Sequence, residues 1–145
     1  MGVRNLKLGE VSAGSWGEVF RVNTIAPVLL VQNLLENICL GQERKMVFIS
    51  SRVGSIQENT GGAMYAYRSS KTALNQVVKS LSIDLFDRGV SSVALHPGWV
   101  LTDMGGPNAL IDVKTSVTGM ISVINSIGML DSGKFFNYDG SSINW

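Results

Sequence analysis

The sequence predicts an α/β fold: a parallel sheet covered by helices. Short, continuously apolar runs, "KMVFIS" and "VSSVALH", alternate with longer stretches whose apolar residues recur every three or four positions. Glycine and proline punctuate nearly every junction. The order reads α-β-α-β-α-β, and strands that alternate with helices imply crossover connections between parallel neighbours.

Residues 1–14 read as loop, with Gly9 and Gly14 as breakers. From Ser15 the pattern is helical, through Trp16, Val19, Phe20, Ala26, Leu29, Leu30, Leu34 and Ile38. Ser15 is the predicted N-cap, with Glu18 completing a capping box. Pro27 is expected to bend this helix near its middle and Gly41 to end it. Met46 to Ile49 predict a strand buried on both faces. "VGSIQENTGG" is a polar, glycine-rich loop. A long helix follows from about Met64 to Phe86, with Ala66, Ala73, Leu74, Val77, Leu81 and Leu85 at helical spacing and Gly89 as its stop. Val90 to Leu95 give a second strand, cut by Pro97-Gly98. A third helix is expected around Thr115–Ile127, and "KFFNYDG" closes as a short strand with an Asp-Gly turn. The 145 residues are expected to form one domain.

Composition narrows the function. Hydrophobic residues make up 45% of the chain, a globular value. The net charge of +1, with scattered basic residues, gives no reason to expect a nucleic-acid partner. A single Cys and a single His leave no ordinary zinc or haem site, so no metal is expected. Cys39 has no partner for an internal disulfide and reads as buried and inert. No run approaches the ~20 apolar residues of a membrane span. No apolar core follows the opening charges as in a secretory signal. The expectation is a cytoplasmic protein without a membrane partner.

One stretch carries chemistry. In "YAYRSSKTALNQ", Tyr67 and Lys71 stand four residues apart on one helix face, with Ser70 close by. An ammonium beside a phenol favours the phenolate, which suits the phenol to acid–base work. Tyr65 has no such partner, because position 69 is serine. Alone, Tyr-x-x-x-Lys is a weak signal. Asn23 could be making a local helix bond, and Ser50, Ser51 and Ser55 all stand near a strand end.

Taken together, four features resemble the short-chain dehydrogenase/reductase family: Tyr67–Lys71 on a helix, Ser51 in "VFISS", Asn23 in "FRVNTIAP", and Pro97-Gly98 in "LHPGWVLTDM". The wording is most similar to the C-factor-like and sniffer-like carbonyl reductase branch, from about Ser15 to Trp145. The resemblance implies a partial Rossmann-type doubly wound parallel sheet, the C-terminal half of that fold. No G-x-x-x-G-x-G or G-x-G-x-x-G precedes the first helix. The amino-terminal dinucleotide-binding half is therefore expected to lie outside these residues. The same layout implies that Val47 to Ile49 form an apolar sheet edge.

The resemblance also implies roles: hydride transfer between a nicotinamide cofactor, NADP or NAD, and a small ketone, aldehyde or alcohol. Tyr67 would be the acid/base. Lys71 would tune it and hold the nicotinamide ribose. Ser51, the second serine of "ISS", would donate to the carbonyl oxygen, and Asn23 would hold a water leading from Lys71. Pro97, Gly98, Val100 and Thr102 would meet the cofactor, while Trp99 and Met104 would line the substrate pocket. His96 reads as structural. This chain alone is not expected to bind cofactor. A homo-oligomer is expected through the helices carrying Asn23 and Tyr67, with Val19, Leu30, Leu74, Val78 and Leu81 as its surface. The alternative function is a non-enzymatic signalling or dimerising module, which the branch also includes.

Overall fold

The computed structural model describes residues 7–145. Three parallel strands, β1 (Lys45–Ile49), β2 (Ser91–His96) and β3 (Phe135–Asn137), lie in the order β1-β2-β3. Val47 pairs with Val93, and Ala94 with Phe135. The partly doubly wound α/β sheet inferred from the resemblance is present. Among the described residues β1 lies at an edge, as expected.

Two helices precede β1 as a nearly continuous rod: α1 (Ala13–Phe20), a π segment (Arg21–Ile25) and α2 (Ala26–Leu40). The N-cap is Ser12, not Ser15. The Ser12 hydroxyl accepts from the Ser15 N–H at 3.2 Å, so the helix starts inside the stretch expected to be loop. The irregularity is also not where expected. The Ala26 N–H donates to the Arg21 carbonyl, a five-residue step, and Pro27 follows in the first turn of α2. A proline there costs little, because the π step just before it has already broken the regular i→i−4 ladder that a proline disrupts.

The third helix, α3 (Tyr65–Asp84), crosses from β1 to β2 and buries Ala66, Ser70, Leu74, Val78 and Ser82 along one stripe, with Asn75 beside it. Gly89, at φ +69°, ends the short turn that follows it. The last helix, α4 (Val113–Ser126), is capped by Asp112, whose side chain accepts from the Thr115 N–H at 2.7 Å.

The core splits across the sheet. On one face Met46, Phe48, Ala94 and Phe135 pack with Val31 of α2 and Leu74 and Val78 of α3. On the other, Val93 and Leu95 pack with Val123 and Ile127 of α4 and its continuation. β2 is buried along both faces. β1 is not, which corrects the expectation: Met46 and Phe48 are buried, but Ile49 is 48% exposed. Leu74 and Val78 are core residues and cannot supply an oligomer surface. Cys39 is only partly buried, against the same core. Trp145 stacks on Phe135 with ring centroids 5.5 Å apart. Among the described residues no helix is long and apolar enough to cross a membrane.

Candidate active site

The site is built around the first turns of α3. Gly62, Ala63 and Met64 all have positive φ, at +60°, +51° and +53°, so one left-handed turn feeds the chain into the helix. Two of these residues carry a Cβ, which makes the turn strained. It is held from inside α3. The Arg68 guanidinium donates to the Gly62 carbonyl at 3.0 Å and the Val53 carbonyl at 3.2 Å, and Asn59 accepts from the Gly62 N–H at 3.1 Å.

Tyr67 and Lys71 lie one turn apart, both partly buried. The Lys71 ammonium is 5.9 Å from the Tyr67 ring centroid and donates to the Ile49 carbonyl at 2.9 Å. Gly54 makes this packing possible: a Cβ there would sit 2.7 Å from the Lys71 Cβ. Thr72 fixes the same loop by donating to the Gly54 carbonyl at 2.8 Å.

The three serines separate cleanly. Ser50 is 2% exposed and donates to Asn75 Oδ1 at 2.5 Å. Ser55 is 1% exposed and donates to the Trp145 carbonyl at 3.2 Å. Ser51 is the partly exposed one, in extended backbone at the carboxyl end of β1.

Asn23 comes from the π segment. Its side-chain N–H donates to Ser70 Oγ at 3.0 Å, and that hydroxyl donates to the Tyr67 carbonyl at 2.8 Å. Thr24 donates to the Ser70 carbonyl at 2.9 Å. Ser70, wholly buried, thus joins the π segment to the turn carrying Tyr67. Its role was hidden in the sequence, because a serine within a helix reads as a solvated residue unless its neighbours one turn away are known to be buried. Asn75, Arg68 and Thr72 were missed for a related reason: their partners are loop carbonyls distant in sequence.

The second wall leaves the carboxyl end of β2. Gly98 has φ +87°, and a Cβ there would meet Ile111 Cδ1 at 2.5 Å. Ser116 donates to the Pro97 carbonyl at 2.6 Å, and Val100 bridges to Ile111. Trp99 is half-exposed, with its indole N–H on the Gly105 carbonyl at 2.7 Å. Thr102 is exposed and accepts from the Gly105 N–H at 3.2 Å, and Met104 is exposed on the same loop. Hydrogen bonds join Asn23 through Ser70 to the Tyr67 carbonyl, and Lys71 packs by the Tyr67 ring and donates to β1. Ser51 and the Pro97–Met104 loop are brought to this end by the topology, where open α/β sheets bind ligands. His96, just before the loop, has a buried Nδ1 without a partner. Burial, then the nearby Arg52 charge, lowers its pKa to about 4.

For a nicotinamide nucleotide, the donor set suits only one end. Lys71 and the exposed Thr102 hydroxyl could serve a ribose and a nearby amide or phosphate. The N-terminus of α4 offers no phosphate site, because the Asp112 carboxylate already caps it.

Comparison with known proteins places this geometry. A model described as short chain dehydrogenase matches residues 2–110. The C-signal of Myxococcus xanthus is 42% identical over 95% of this chain and 83% of its own length. The carbonyl reductase Sniffer of D. melanogaster superposes with a TM-score of 0.90 at 39% identity, over 97% of this chain and 61% of that one. The NADPH-bound carbonyl reductase from chicken fatty liver superposes with a TM-score of 0.91 at 37% identity, over 98% of this chain and 62% of that one. The chain therefore spans most of the length of C-signal but about three fifths of these solved reductases.

Proposed function

The chain belongs to the short-chain dehydrogenase family, and from that premise we propose that it carries the catalytic half of an NAD(P)H-dependent carbonyl reductase. The observation that carries this reading is Tyr67 and Lys71 on adjacent turns of α3, with Lys71 held against the carboxyl end of β1 and Asn23 tied through Ser70 to the Tyr67 turn.

When bound, the nicotinamide supplies the hydride. The chain's own residues do the rest. The Tyr67 hydroxyl gives its proton to the substrate oxygen as that oxygen gains charge. The Lys71 ammonium stabilises the phenolate left behind and holds the ribose hydroxyls. The Ser51 hydroxyl donates to the same substrate oxygen, a one-donor oxyanion site. Asn23 shares a groove with Lys71 and positions a water that returns the proton. Pro97, Gly98, Val100 and Thr102 would hold the nicotinamide end, and Trp99 and Met104 would border the substrate, a small ketone or aldehyde. A glycine-rich βα unit would supply the pyrophosphate end of the cofactor site.

The test uses these residues joined to such a unit and assayed for NADPH-dependent carbonyl reduction. Tyr67→Phe lowers kcat by about 10²–10⁴-fold, the usual scale of general acid catalysis. Tyr65→Phe leaves kcat within a few-fold. A Tyr67→Phe enzyme that turns over normally would sink the assignment.

One observation favours a second reading. One relative, matched over 83% of its own length, is called a C-signal. On that reading the chain is a non-enzymatic binding module, and Tyr67→Phe with Lys71→Ala leaves its binding intact.

A further inference from the structure

Arg68 follows Tyr67 directly in α3, and its guanidinium reaches two segments outside the helix. Nε donates to the Gly62 carbonyl at 3.0 Å, and Nη1 donates to the Val53 carbonyl at 3.2 Å. Val53 belongs to a one-turn 3-10 helix, Arg52–Gly54, that opens at Ser51; the Gly54 N–H donates to the Ser51 carbonyl at 2.8 Å. Gly62 begins the left-handed turn that feeds the chain into α3, with Tyr67 in the first turn of that helix. One planar group thus joins the turn after Ser51 to the turn before Tyr67.

Residues 56–62 connect these two turns and are all exposed, so packing around them does not fix the separation of the turns. Thr72 donates to the Gly54 carbonyl at 2.8 Å, and the Asn75 amide donates to it at 3.4 Å. Those bonds hold the far end of the 3-10 turn to α3. They leave Val53, nearer Ser51, to Arg68. The Ser51 side chain makes no capping bond to the turn it opens, so its position follows the main chain. Arginine suits the task because its donors stand in a rigid planar fork, whereas a lysine ammonium is a single point on a flexible stem.

We propose that Arg68 is a positioning residue: it sets the reach of the Ser51 hydroxyl relative to the Tyr67 hydroxyl, so that both donate to one substrate oxygen. The proposal rests on the reductase reading, in which those two hydroxyls share that oxygen. Arg68 itself touches no reacting atom. Its leverage is geometric, since a misplacement of about 1 Å between oriented groups costs on the order of 10²-fold in rate. Because Thr72 and Asn75 still hold Gly54, loss of the Arg68 fork frees the Ser51 turn without releasing it from α3.

The test uses these residues joined to a glycine-rich βα unit, with NADPH and a small ketone. Arg68→Lys lowers kcat by about 10–100-fold and leaves the KM for NADPH within about threefold. In a Ser51→Ala background the same substitution costs less than about threefold, because the hydroxyl that it positions is already gone. Amide exchange at Gly54 and Ser55 speeds up by about tenfold or more in Arg68→Lys, while Leu74 and Val78 keep the parent's rates. Arg68→Met, which keeps the apolar stem, takes its place in the same cycle if Arg68→Lys does not fold. A kcat unchanged in Arg68→Lys, or a loss of the same size with and without the Ser51 hydroxyl, overturns the proposal. Unchanged exchange at Gly54 and Ser55 overturns it too, and that readout needs no turnover. A parent that shows no carbonyl reduction, or a rate indifferent to Tyr67→Phe, overturns the reductase reading and with it the catalytic use of Arg68; the exchange result then still decides whether Arg68 holds the turn.

Discussion

Ser50 and Ser51 are adjacent and do opposite things. Ser50 holds Asn75 inside the protein. Ser50→Ala leaves that buried amide short of a partner and costs about 1–3 kcal/mol in urea denaturation. Ser51→Ala changes stability by less than about 0.5 kcal/mol, and its effect falls on carbonyl reduction. The resemblance selected Ser51; of the three serines Ser50 and Ser55 are buried and Ser51 is partly exposed. Ala63 and Met64 sit in left-handed backbone that favours glycine, so Ala63→Gly stabilises the fold by about 1 kcal/mol, against the usual cost of glycine. A loss of stability there would contradict the turn. His96 titrates from its usual 6.5 down to about 4 because burial disfavours its charged form. Above pH 6.5 both folded and unfolded chains hold it neutral. As pH falls from there toward 4 only the unfolded chain takes up the proton, so stability declines, by roughly 2–3 kcal/mol, and then levels. His96→Asn flattens that slope in melts recorded between pH 4 and 7. The Tyr67–Lys71 spacing was legible because helical geometry alone puts the two on one face. Ser70 and Asn75 were not, because only the packing shows that their stripe of α3 is buried.

Among the elements, the strands and their order were legible from short apolar runs between helical ones. Their exposure was less so. β1 reads as continuously apolar, yet the α4 face of the sheet is covered mainly over β2, and Ile49 is left half-exposed. The first helix was legible in its apolar spacing and not in its interior. A π segment has no pattern of its own in sequence, and the visible clue, Pro27, lies just after it. The position of Pro27 makes a sharp prediction. A proline in the interior of a regular helix costs about 3 kcal/mol, so replacing it would recover that much. At the first turn after a π segment it costs little, and Pro27→Ala gains less than about 1 kcal/mol in urea midpoint analysis. A gain near 3 would mean that the helix runs through unbroken. The N-cap was misplaced by three residues because Glu18 makes Ser15 look like the start of a capping box, whereas Ser12 has a serine three residues on. Their hydroxyls face one another, and Ser12 accepts from the Ser15 N–H.

Among the described residues an apolar edge and groove lie open at β1, with Leu30, Leu34 and Ile49 exposed. The isolated chain is expected to have low solubility, and Ile49→Lys raises the concentration at which light scattering begins. An unchanged threshold would place the liability elsewhere. The expected oligomer surface is reduced to Val19, Leu30 and Leu81, since Leu74 and Val78 lie in the core. The central proposal is that these 145 residues carry the acid–base side chains of a carbonyl reductase, with Tyr67 as the proton donor. The direct test is a chimera in which they replace the stretch they match in the NADPH-bound chicken carbonyl reductase. Carbonyl-dependent NADPH oxidation by the chimera, abolished by Tyr67→Phe, is the result predicted here. A folded chimera that binds NADPH but oxidises it no faster with a carbonyl present, or that keeps its rate in Tyr67→Phe, would contradict it.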